Sequence, residues 1–470
     1  MYNNRKRNGT VISLLTMTML LAACGSNAAT NAPPSNGNTS APPVTAESND
    51  TAEGGNADLS GTLKVQLVGD FSMEDKTDAI SGNTSRGVKV LKEEFEKQYP
   101  NANVEFILMG WDNYNEKTQT MLQSGAADVY QVPGIATFTE QGLLEPLKPY
   151  IERDNFDLGV YLDGQVDGWR TMGPDDQEPQ IYGLPFIGDT RVIVYDSQLF
   201  EDWGVEPLSE SPTLDEIMEK AAAMTGTNPK TGEQNYGLAY KGSDAADTVM
   251  NINEALGGQW GEGFLWQSMK LEFDSDTMIQ AMDWLKEATK YAPAGVLAGQ
   301  GFENFLRDNN NVAIHLRMPP GFINEAETFG QEDRYQAALL FKNPTTGTGS
   351  MFAGSPFSIG ASANNKDLAW EWLKFSSSEM FQQYMWTDQR SHSMPVIKAA
   401  ADWDSVKEIP QMEVILKSMS QLWTPRYPYR AGQPRYILSE NVERVLLGEL
   451  SAADAMKKAQ EESAKWLKQQ

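Results

Sequence analysis

The feature that most constrains the fold is an alternation of strand and helix patterns in the first third of the chain. Apolar and β-branched runs predict three strands, at residues 62–68, 103–109 and 128–132. Apolar side chains at helical spacing predict two intervening helices, at residues 84–98 and 112–123. Strands that alternate with helices in this order predict a parallel sheet with helices on its faces.

Three polar side chains end or follow strands of this kind: Asp70, Gln131 and Asp189. Ligands of open α/β sheets bind beyond the carboxyl ends of the strands, so we expect these three residues near one edge. Asp189 and Arg191 precede the apolar run Val192–Tyr195. They are two positions apart, so in an extended chain their side chains share one face.

The rest of the chain has the same α/β character and is too long for one core. Thr213 and Glu216 form a capping-box pattern that predicts a helix to about Met224. Further patterns predict helices at residues 276–290 and 365–375 and a strand at 334–341. Because a single core rarely extends beyond about 250–300 residues, two lobes are expected.

The N-terminal segment has the pattern of a secreted lipoprotein. Basic residues 5–7 precede a short apolar run at 11–21, and small residues precede Cys24, the only cysteine. This pattern resembles a bacterial lipobox, in which the signal, here residues 1–23, is cleaved and the cysteine, here Cys24, is acylated with palmitate or a similar chain. Residues 25–58 are rich in small and polar types, which predicts a disordered tether over 24–58.

Composition excludes some classes of function. The formal net charge is −26, which argues against nucleic acid as a partner. Two histidines and one cysteine offer few ligands for a transition metal, so we expect neither a metal site nor a cofactor.

A set of phrases occurs in the order found in a known family. The phrases are AADVYQV, QGLLEPLKPYI, YGLPFIGDTRVIVYDSQLFEDWGV, PTLDEIMEKAAAM, EALGGQW and GSPFSIGASANNKDLAWEWLKF. A C-terminal phrase containing NVERVLLGELSAADAM follows them. In these phrases the chain resembles the extracellular solute-binding proteins of bacterial ABC importers, specifically the carbohydrate-binding group related to maltose-binding protein.

The resemblance implies a two-lobe, type II periplasmic-binding-protein-like α/β fold, with three hinge crossovers and a ligand cleft between the lobes. By position, the crossovers are expected near residues 182–189, 334–337 and 383–388. The first lobe would comprise residues 59–184 and 336–384. The second lobe would comprise residues 185–335 and 385–470.

The resemblance also implies a sugar site, in which flat aromatic rings and polar side chains share the contacts. Asp189 lies where the maltose-binding relatives have an acidic sugar contact. Arg191 either donates hydrogen bonds to the sugar or forms an ion pair that holds Asp189 and the hinge. The other candidate ligand-binding residues, besides Asp70 and Gln131, are Trp260, Ser355, Trp386, Tyr427, Arg430 and Tyr436.

One stretch, NFLRDNNNVAIHLRMPPGF, departs from the family pattern. His315 and Arg317 replace small residues, and Pro319 with Pro320 replaces an expected aromatic turn. Arg317 is therefore a further candidate contact and would suit a uronic acid or another charged glycan. A lone histidine is more often structural, so His315 is not included in the predicted site.

The predicted function is a non-enzymatic one: a lipid-anchored, monomeric binding protein outside the cytoplasmic membrane captures a carbohydrate and delivers it to an ABC permease. Two alternatives stay open at this point. One is a surface-tethered glycoside hydrolase or lyase, although no G-x-S-x-G, P-loop or H-E-x-x-H motif is present. The other is the same fold with a non-sugar solute, such as a polyamine.

Overall fold

The computed structural model describes residues 59–77, 82, 84–265, 268–388, 393–423 and 432–469. Within these ranges the chain forms two five-stranded sheets, each with its own hydrophobic core and flanking helices. The expectation of a two-lobe α/β fold is confirmed.

The first sheet contains the strands that the sequence predicts near the start of the chain. Its strands, in spatial order, are β4 (Asn101–Met109), β1 (Ser60–Val68), β5 (Val129–Gln131), β16 (Ala353–Ile359) and β8 (Leu184–Asp189). β1 pairs in parallel with β4 and β5, whereas β16 pairs antiparallel with β5 and β8. The parallel part of the prediction is therefore correct, and two later strands complete the sheet.

The second sheet is built from the middle of the chain. Its strands, in spatial order, are β10 (Gly226–Thr227), β11 (Gln234–Ala239), β14 (Val312–Met318), β9 (Val192–Asp196) and β15 (Tyr335–Leu339). Only β11 and β14 are parallel to each other, and the remaining pairs are antiparallel. Three short hairpins pair β2 (Lys76–Thr77) with β3 (Thr84–Ser85), β6 (Arg170–Thr171) with β7 (Gln180–Ile181), and β12 (Gly261–Glu262) with β13 (Lys270–Leu271).

Helices cover both sheets. In chain order they are α1 (Lys89–Gln98), α2 (Tyr114–Ser124), α3 (Ala136–Glu140), α4 (Lys148–Asp154), α5 (Ser197–Trp203), α6 (Leu214–Ala223), α7 (Ala245–Ala255), α8 (Asp276–Ala288), α9 (Phe322–Thr328), α10 (Lys366–Phe375), α11 (Glu379–Gln383), α12 (Asp404–Lys407), α13 (Gln411–Met419), α14 (Gln433–Leu446) and α15 (Ala452–Leu467). A π-helical turn, Tyr384–Asp388, follows α11.

Local signals in the sequence explain several of these helix starts. The Thr213 hydroxyl accepts a hydrogen bond from the Glu216 amide at 3.1 Å and caps α6, as the capping pattern predicts. The Glu216 carboxylate instead accepts from the Ser209 amide, so only half of the capping box forms. α1 begins at Lys89 rather than near residue 84, because Thr84 and Ser85 pair with β2 as the strand β3.

The chain passes between the sheets at positions that differ from the predicted crossovers. β8 belongs to the first sheet up to Asp189, so the first passage covers only the next two residues. β15 pairs along its whole length with β9, so residues 336–339 belong to the second sheet and the second passage follows Leu339. The predicted boundary at 184/185 therefore moves to after Asp189, and the one at 335/336 moves to after Leu339. In both cases the strand keeps its backbone pairing beyond the predicted position.

At the third passage the chain contacts both cores in turn. Tyr384 and Met385 pack in the first core, and Trp386 packs in the second, close to the predicted third crossover. Val396 and Ile397 return to the first core, although they were assigned to the second lobe. The passages contact one another: the Arg191 amide donates to the Ser350 hydroxyl at 3.0 Å.

Candidate functional site

A cavity of about 680 Å³ opens at the edge where the strands of the first sheet end. Its first-lobe wall includes Val68 at the end of β1, Val132 after β5 and Asp189 at the end of β8. The second lobe contributes Pro320 and Arg435, among others. The volume lies within the roughly 300–1,000 Å³ typical of small-molecule sites, so this cavity is the candidate ligand site.

Asp70 lies on this cavity, as predicted from its place after β1. Its carboxylate is largely exposed and forms an ion pair with the Lys76 ammonium at 2.9 Å. The pair lies in solvent, where such interactions are weak, so the carboxylate can exchange Lys76 for a ligand hydroxyl at little cost.

Gln131 and Ser355 are in contact, but only Ser355 reaches the cavity. The Gln131 side chain is fully buried: its Oε1 accepts from the Val68 amide at 2.8 Å, and its Nε2 donates to the Ser355 hydroxyl at 3.3 Å. Gln131 therefore ties β5 to β1 and β16 behind the wall and orients Ser355, rather than lining the cavity itself.

Asp189 and Arg191 form the ion pair that the sequence allowed as one of two roles. The Arg191 Nη1 lies 2.6 Å from the Asp189 Oδ1, which also accepts from the Thr190 amide at 2.8 Å. Asp189 lines the cavity, and Arg191 holds it from behind. Burial alone would lower the pKa of the Arg191 guanidinium, but Asp189, together with Asp244 and Asp247, outweighs burial and raises that pKa.

The second-lobe wall contains a cluster of buried charges. The Arg317 side chain, 5% exposed, lies 3.2 Å from the Asp244 carboxylate and 3.5 Å from that of Asp247. The same Asp247 oxygen lies 3.1 Å from the Nη2 of Arg435, which lines the cavity. Arg317 thus does not reach the cavity in this structure, and it fixes the carboxylate that positions Arg435.

Arg435, which sequence reasoning left out of the site, lies there because of its place in α14. Tyr436, the neighbour that was selected, is 60% exposed and does not line the cavity. Successive residues on a helix point about 100° apart, so only one of the two can face the cavity. The helix that starts at Gln433 is the signal that separates the two residues, because it directs their side chains to different sides.

Two aromatic residues on the first-lobe wall were also missed. Trp111 follows β4, is 59% exposed and lines the cavity. Its ring lies 5.5 Å from that of Tyr114 at an interplanar angle of 82°. The Tyr114 hydroxyl donates to the Gln131 carbonyl at 2.8 Å, which fixes the pair. The sequence did contain a signal for Trp111: it lies just beyond β4, a strand of the sheet whose edge also carries Asp70.

Two predicted tryptophans lie elsewhere. Trp260 is only 2% exposed, because the chain after α7 turns into the β12–β13 hairpin and directs the ring into the second core. Trp386 is also buried there, and its Nε1 donates to the Ser405 hydroxyl at 3.1 Å. Neither lines the cavity. Tyr427, Arg430 and Cys24 lie outside the described residues.

Among the described residues, no three His, Cys, Asp or Glu side chains are grouped so that they could hold a metal ion. In the same part of the chain, no helix is long and apolar enough to cross a membrane.

Comparison with known proteins agrees with this architecture. A binding protein of Brucella abortus (strain 2308) is 22% identical over 337 residues, which cover 69% of this chain and 76% of the relative. A solute-binding protein of an ABC transporter from Thermotoga lettingae, solved with alpha-D-tagatose, has a TM-score of 0.63 at 24% identity and covers 87% of this chain and 100% of its own. The sugar-binding protein MalE from Xanthomonas citri has a TM-score of 0.69 at 20% identity and covers 87% and 98%.

These similarities extend over both lobes. The family model for bacterial extracellular solute-binding proteins matches residues 81–383, which is more than half of the chain and includes strands of both sheets. The chain belongs to the family of bacterial extracellular solute-binding proteins.

Proposed function

We propose that this protein captures a carbohydrate in the 680 Å³ cavity and delivers it to an ABC importer. The observation that carries the proposal is an exposed tryptophan, Trp111, in one cavity with Asp189 and Arg435. An aromatic face packs against the CH face of a sugar ring. Carboxylate and guanidinium groups form charge-assisted hydrogen bonds with its hydroxyls. The sugar-binding relatives described above support the same ligand class.

Capture would proceed by closure of the lobes around the ligand. The two lobes share the cavity, and the first passage between their sheets is only two residues long. A ligand that contacts Trp111 on one lobe and Arg435 on the other gains both sets of contacts only when the lobes are close. It therefore shifts the population toward the closed form.

Two other functions would use the same fold differently. A polyamine would need carboxylates without competing cations, whereas here Asp189 is paired with Arg191, and Arg435 lines the same cavity. A hydrolase would need two carboxylates at a set separation around the glycosidic bond, one with a raised pKa. The family and the similar solved structures described above are binding proteins of transporters, so we favour a binding protein without enzymatic activity.

The test is a thermal-shift and calorimetry panel of neutral and acidic mono- and oligosaccharides, with polyamines included. A ligand at 1,000 times its Kd stabilises the fold by about 4 kcal/mol, which raises Tm measurably. The expected result is a saccharide that binds and is recovered unchanged by chromatography. Recovery of shorter products would identify an enzyme instead, and binding of polyamines alone would contradict the carbohydrate assignment.

We further propose that Cys24 carries a lipid that anchors a monomer to the outer face of the cytoplasmic membrane. The lipobox-like sequence and the polar segment 25–58 support this arrangement. Expressed in a bacterial host, the protein should partition with membranes and carry an acyl mass on Cys24, while Cys24→Ser should release it. A wild-type protein that is soluble and unmodified would contradict the anchor.

A further inference from the structure

The amide side chain of Gln131 is held in one orientation behind the wall of the cavity. Gln131 lies at the end of β5 and is fully buried, and its Oε1 accepts from the Val68 amide at 2.8 Å. A backbone amide can only donate, so Gln131 must turn its oxygen toward Val68 and its Nε2 away from it. The backbone of β1 therefore fixes which end of the Gln131 amide faces the cavity wall, whether or not a ligand is bound.

The amino end of this amide meets Ser355, which lines the cavity. The Gln131 Nε2 donates to the Ser355 Oγ at 3.3 Å. A serine hydroxyl has one hydrogen to donate and two lone pairs that accept. Gln131 uses one lone pair, and no residue in the described part of the chain accepts the hydrogen. The Ser355 hydroxyl therefore keeps its hydrogen for a group inside the cavity.

Tyr114, which also lines the cavity, has the opposite polarity. Its hydroxyl donates to the backbone carbonyl of Gln131 at 2.8 Å. Because this bond uses its only hydrogen, a ligand group that reaches the hydroxyl must donate to it. The side chain and the backbone of Gln131 thus set a donor at Ser355 and an acceptor at Tyr114.

Asp189 supplies a second acceptor near Ser355. Its Oδ1 accepts from the Thr190 amide at 2.8 Å and from the Arg191 Nη1 at 2.6 Å, whereas its Oδ2 accepts from no described residue. β8 and β16 are antiparallel with Ala353 opposite Asp189, so Ser355 is the diagonal neighbour of Asp189. Diagonal neighbours of this kind lie roughly 7–8 Å apart. A donor and a carboxylate oxygen at this separation can contact different hydroxyls of one small saccharide.

We propose that Gln131 is a positioning residue that sets the hydrogen-bond polarity of the cavity, so that Ser355 donates to one saccharide hydroxyl and Asp189 accepts from another. An amide suits position 131 because it combines an acceptor for Val68 with a donor for Ser355, whereas a carboxylate has only acceptors. The inference rests on the proposed function for the ligand class. It deepens that function by stating which protein groups donate to the saccharide and which accept from it.

The test is calorimetry on the full chain with maltose, maltotriose and D-tagatose as probes, between about pH 5 and pH 9. Gln131→Glu keeps the shape of the side chain, but its carboxylate must accept from both Val68 and Ser355, which turns the serine hydrogen away from the cavity. At the alkaline end, affinity should fall about tenfold, as expected for one hydrogen bond. At the acidic end it should recover, because burial favours the protonated carboxyl, whose O–H donates to Ser355 as the amide does.

The matched control is Ser355→Ala, which removes the hydroxyl that Gln131 is proposed to orient. Alone, it should weaken binding about tenfold across the same pH range. In the Ser355→Ala background, Gln131→Glu should cause no further loss, because the two substitutions act through one hydrogen bond. A loss from Gln131→Glu that is equal in both backgrounds and at both ends of the pH range would show a structural role and overturn the proposal. Unchanged affinity in Gln131→Glu would overturn it as well.

A second measurement decides the question if thermal unfolding without saccharide shows that Gln131→Glu does not fold. Monodeoxy and monofluoro derivatives of the probe that binds are compared on the wild-type protein and on Ser355→Ala. Fluorine can accept a hydrogen bond but cannot donate one. At the hydroxyl that Ser355 contacts, the fluoro derivative should therefore bind several times more tightly than the deoxy derivative, and only to the wild-type protein.

The outcomes separate this inference from the proposed function. If a probe binds but no position shows the fluoro preference that depends on Ser355, the polarity is wrong and the carbohydrate assignment stands. If no probe binds the wild-type protein, the ligand class fails, and the polarity assigned to Ser355 fails with it.

Discussion

The two walls of the main cavity are built in opposite ways. The first-lobe wall presents an exposed ring, Trp111, and a carboxylate, Asp70, that pairs in solvent with a lysine. The second-lobe wall presents Arg435 in front of Asp247 and Arg317, whose side chains are buried. The first-lobe groups contribute little to the stability of the fold. The second-lobe wall, by contrast, contains buried charges that must stay paired for the fold to be stable.

Because of this difference, substitutions in the first-lobe wall should change ligand affinity, and substitutions in the second-lobe wall should change stability. An exposed ring contributes little to folding, so its removal is expected to affect ligand binding alone. A buried charge that loses its partner destabilises the whole protein, whatever it does for the ligand. The following predictions test this separation.

The largest expected effect is that of Asp247→Asn. It removes the carboxylate shared by Arg317 and Arg435 and leaves the buried Arg317 guanidinium with the partly exposed Asp244 instead of two aspartates, so the free energy of unfolding should fall by about 3 kcal/mol. Urea denaturation measures the loss. The matched control is Asp244→Asn, whose carboxylate is more exposed and should cost less. Equal, small losses in both variants would mean that the cluster is not structurally important.

The second effect concerns the opposite wall. Trp111→Ala should weaken saccharide binding by about 2 kcal/mol, or roughly 30-fold, as expected for an aromatic anchor. Its unfolding free energy should stay within about 0.5 kcal/mol of the wild type, because the ring is mostly exposed. Calorimetry and urea denaturation measure the two quantities. Trp111→Phe should restore part of the affinity, and an affinity unchanged in Trp111→Ala would remove stacking from the model of the site.

The third effect is a pH dependence of the second lobe. His315 is buried in β14, and burial, aided by the charges of Lys241 and Arg317, lowers its pKa from 6.5 to about 3. The unfolded chain therefore binds a proton that the folded chain excludes. Between pH 6.5 and about 3, this residue should reduce the unfolding free energy by about 1.4 kcal/mol for each unit of pH decrease.

His315→Gln does not titrate, so the slope of stability against pH between 6.5 and 5 should be smaller than in the wild type. Absolute stability will also change, because the ring packs near Phe302 and Phe305. The slope, from urea denaturation at several pH values, is therefore the decisive quantity. Identical slopes in the two proteins would show that His315 is protonated in the folded state.

A small effect on stability is also expected for Asp70→Asn. The Asp70–Lys76 pair is exposed, and its loss should change the unfolding free energy by less than about 1 kcal/mol. If Asp70 accepts ligand hydroxyls, the same change should reduce saccharide affinity in calorimetry. A loss of stability as large as that of Asp247→Asn would contradict the difference between the walls.

The sequence predicted the parts of the fold that are encoded locally. β1, β4 and β5 are apolar, β-branched runs, and Thr213 and Asn365 are helix caps whose side-chain bonds form in the structure. It did not predict where the chain passes between sheets. The run at 334–341 reads as a strand, but only tertiary pairing with β9 places it in the second sheet.

For the site, too, the residues placed by local strand signals were predictable, and those placed by long-range packing were not. Asp70 and Asp189 reach the cavity because they follow or end strands whose carboxyl ends share one edge, whereas Ser355 was expected from the resemblance alone. Trp260 could not be assigned, since its burial depends on how the β12–β13 hairpin packs against the second core. Arg317 carries a charge that suggested a ligand contact, yet two distant aspartates hold it. Such long-range partners have no local signature in the chain.

The place of β16 in the first sheet has a consequence for the order of folding. β16 lies between β5 and β8, yet it comes after every strand of the second sheet in the chain. As the chain emerges residue by residue, the second sheet has all its strands once Leu339 is available, whereas the first remains divided until β16 follows. The sheet that begins the sequence is therefore the later of the two sheets to complete, and β16, fourth in its spatial order, must close a long loop to do so. Until then, the edges of β5 and β8 are open to pairing with other chains.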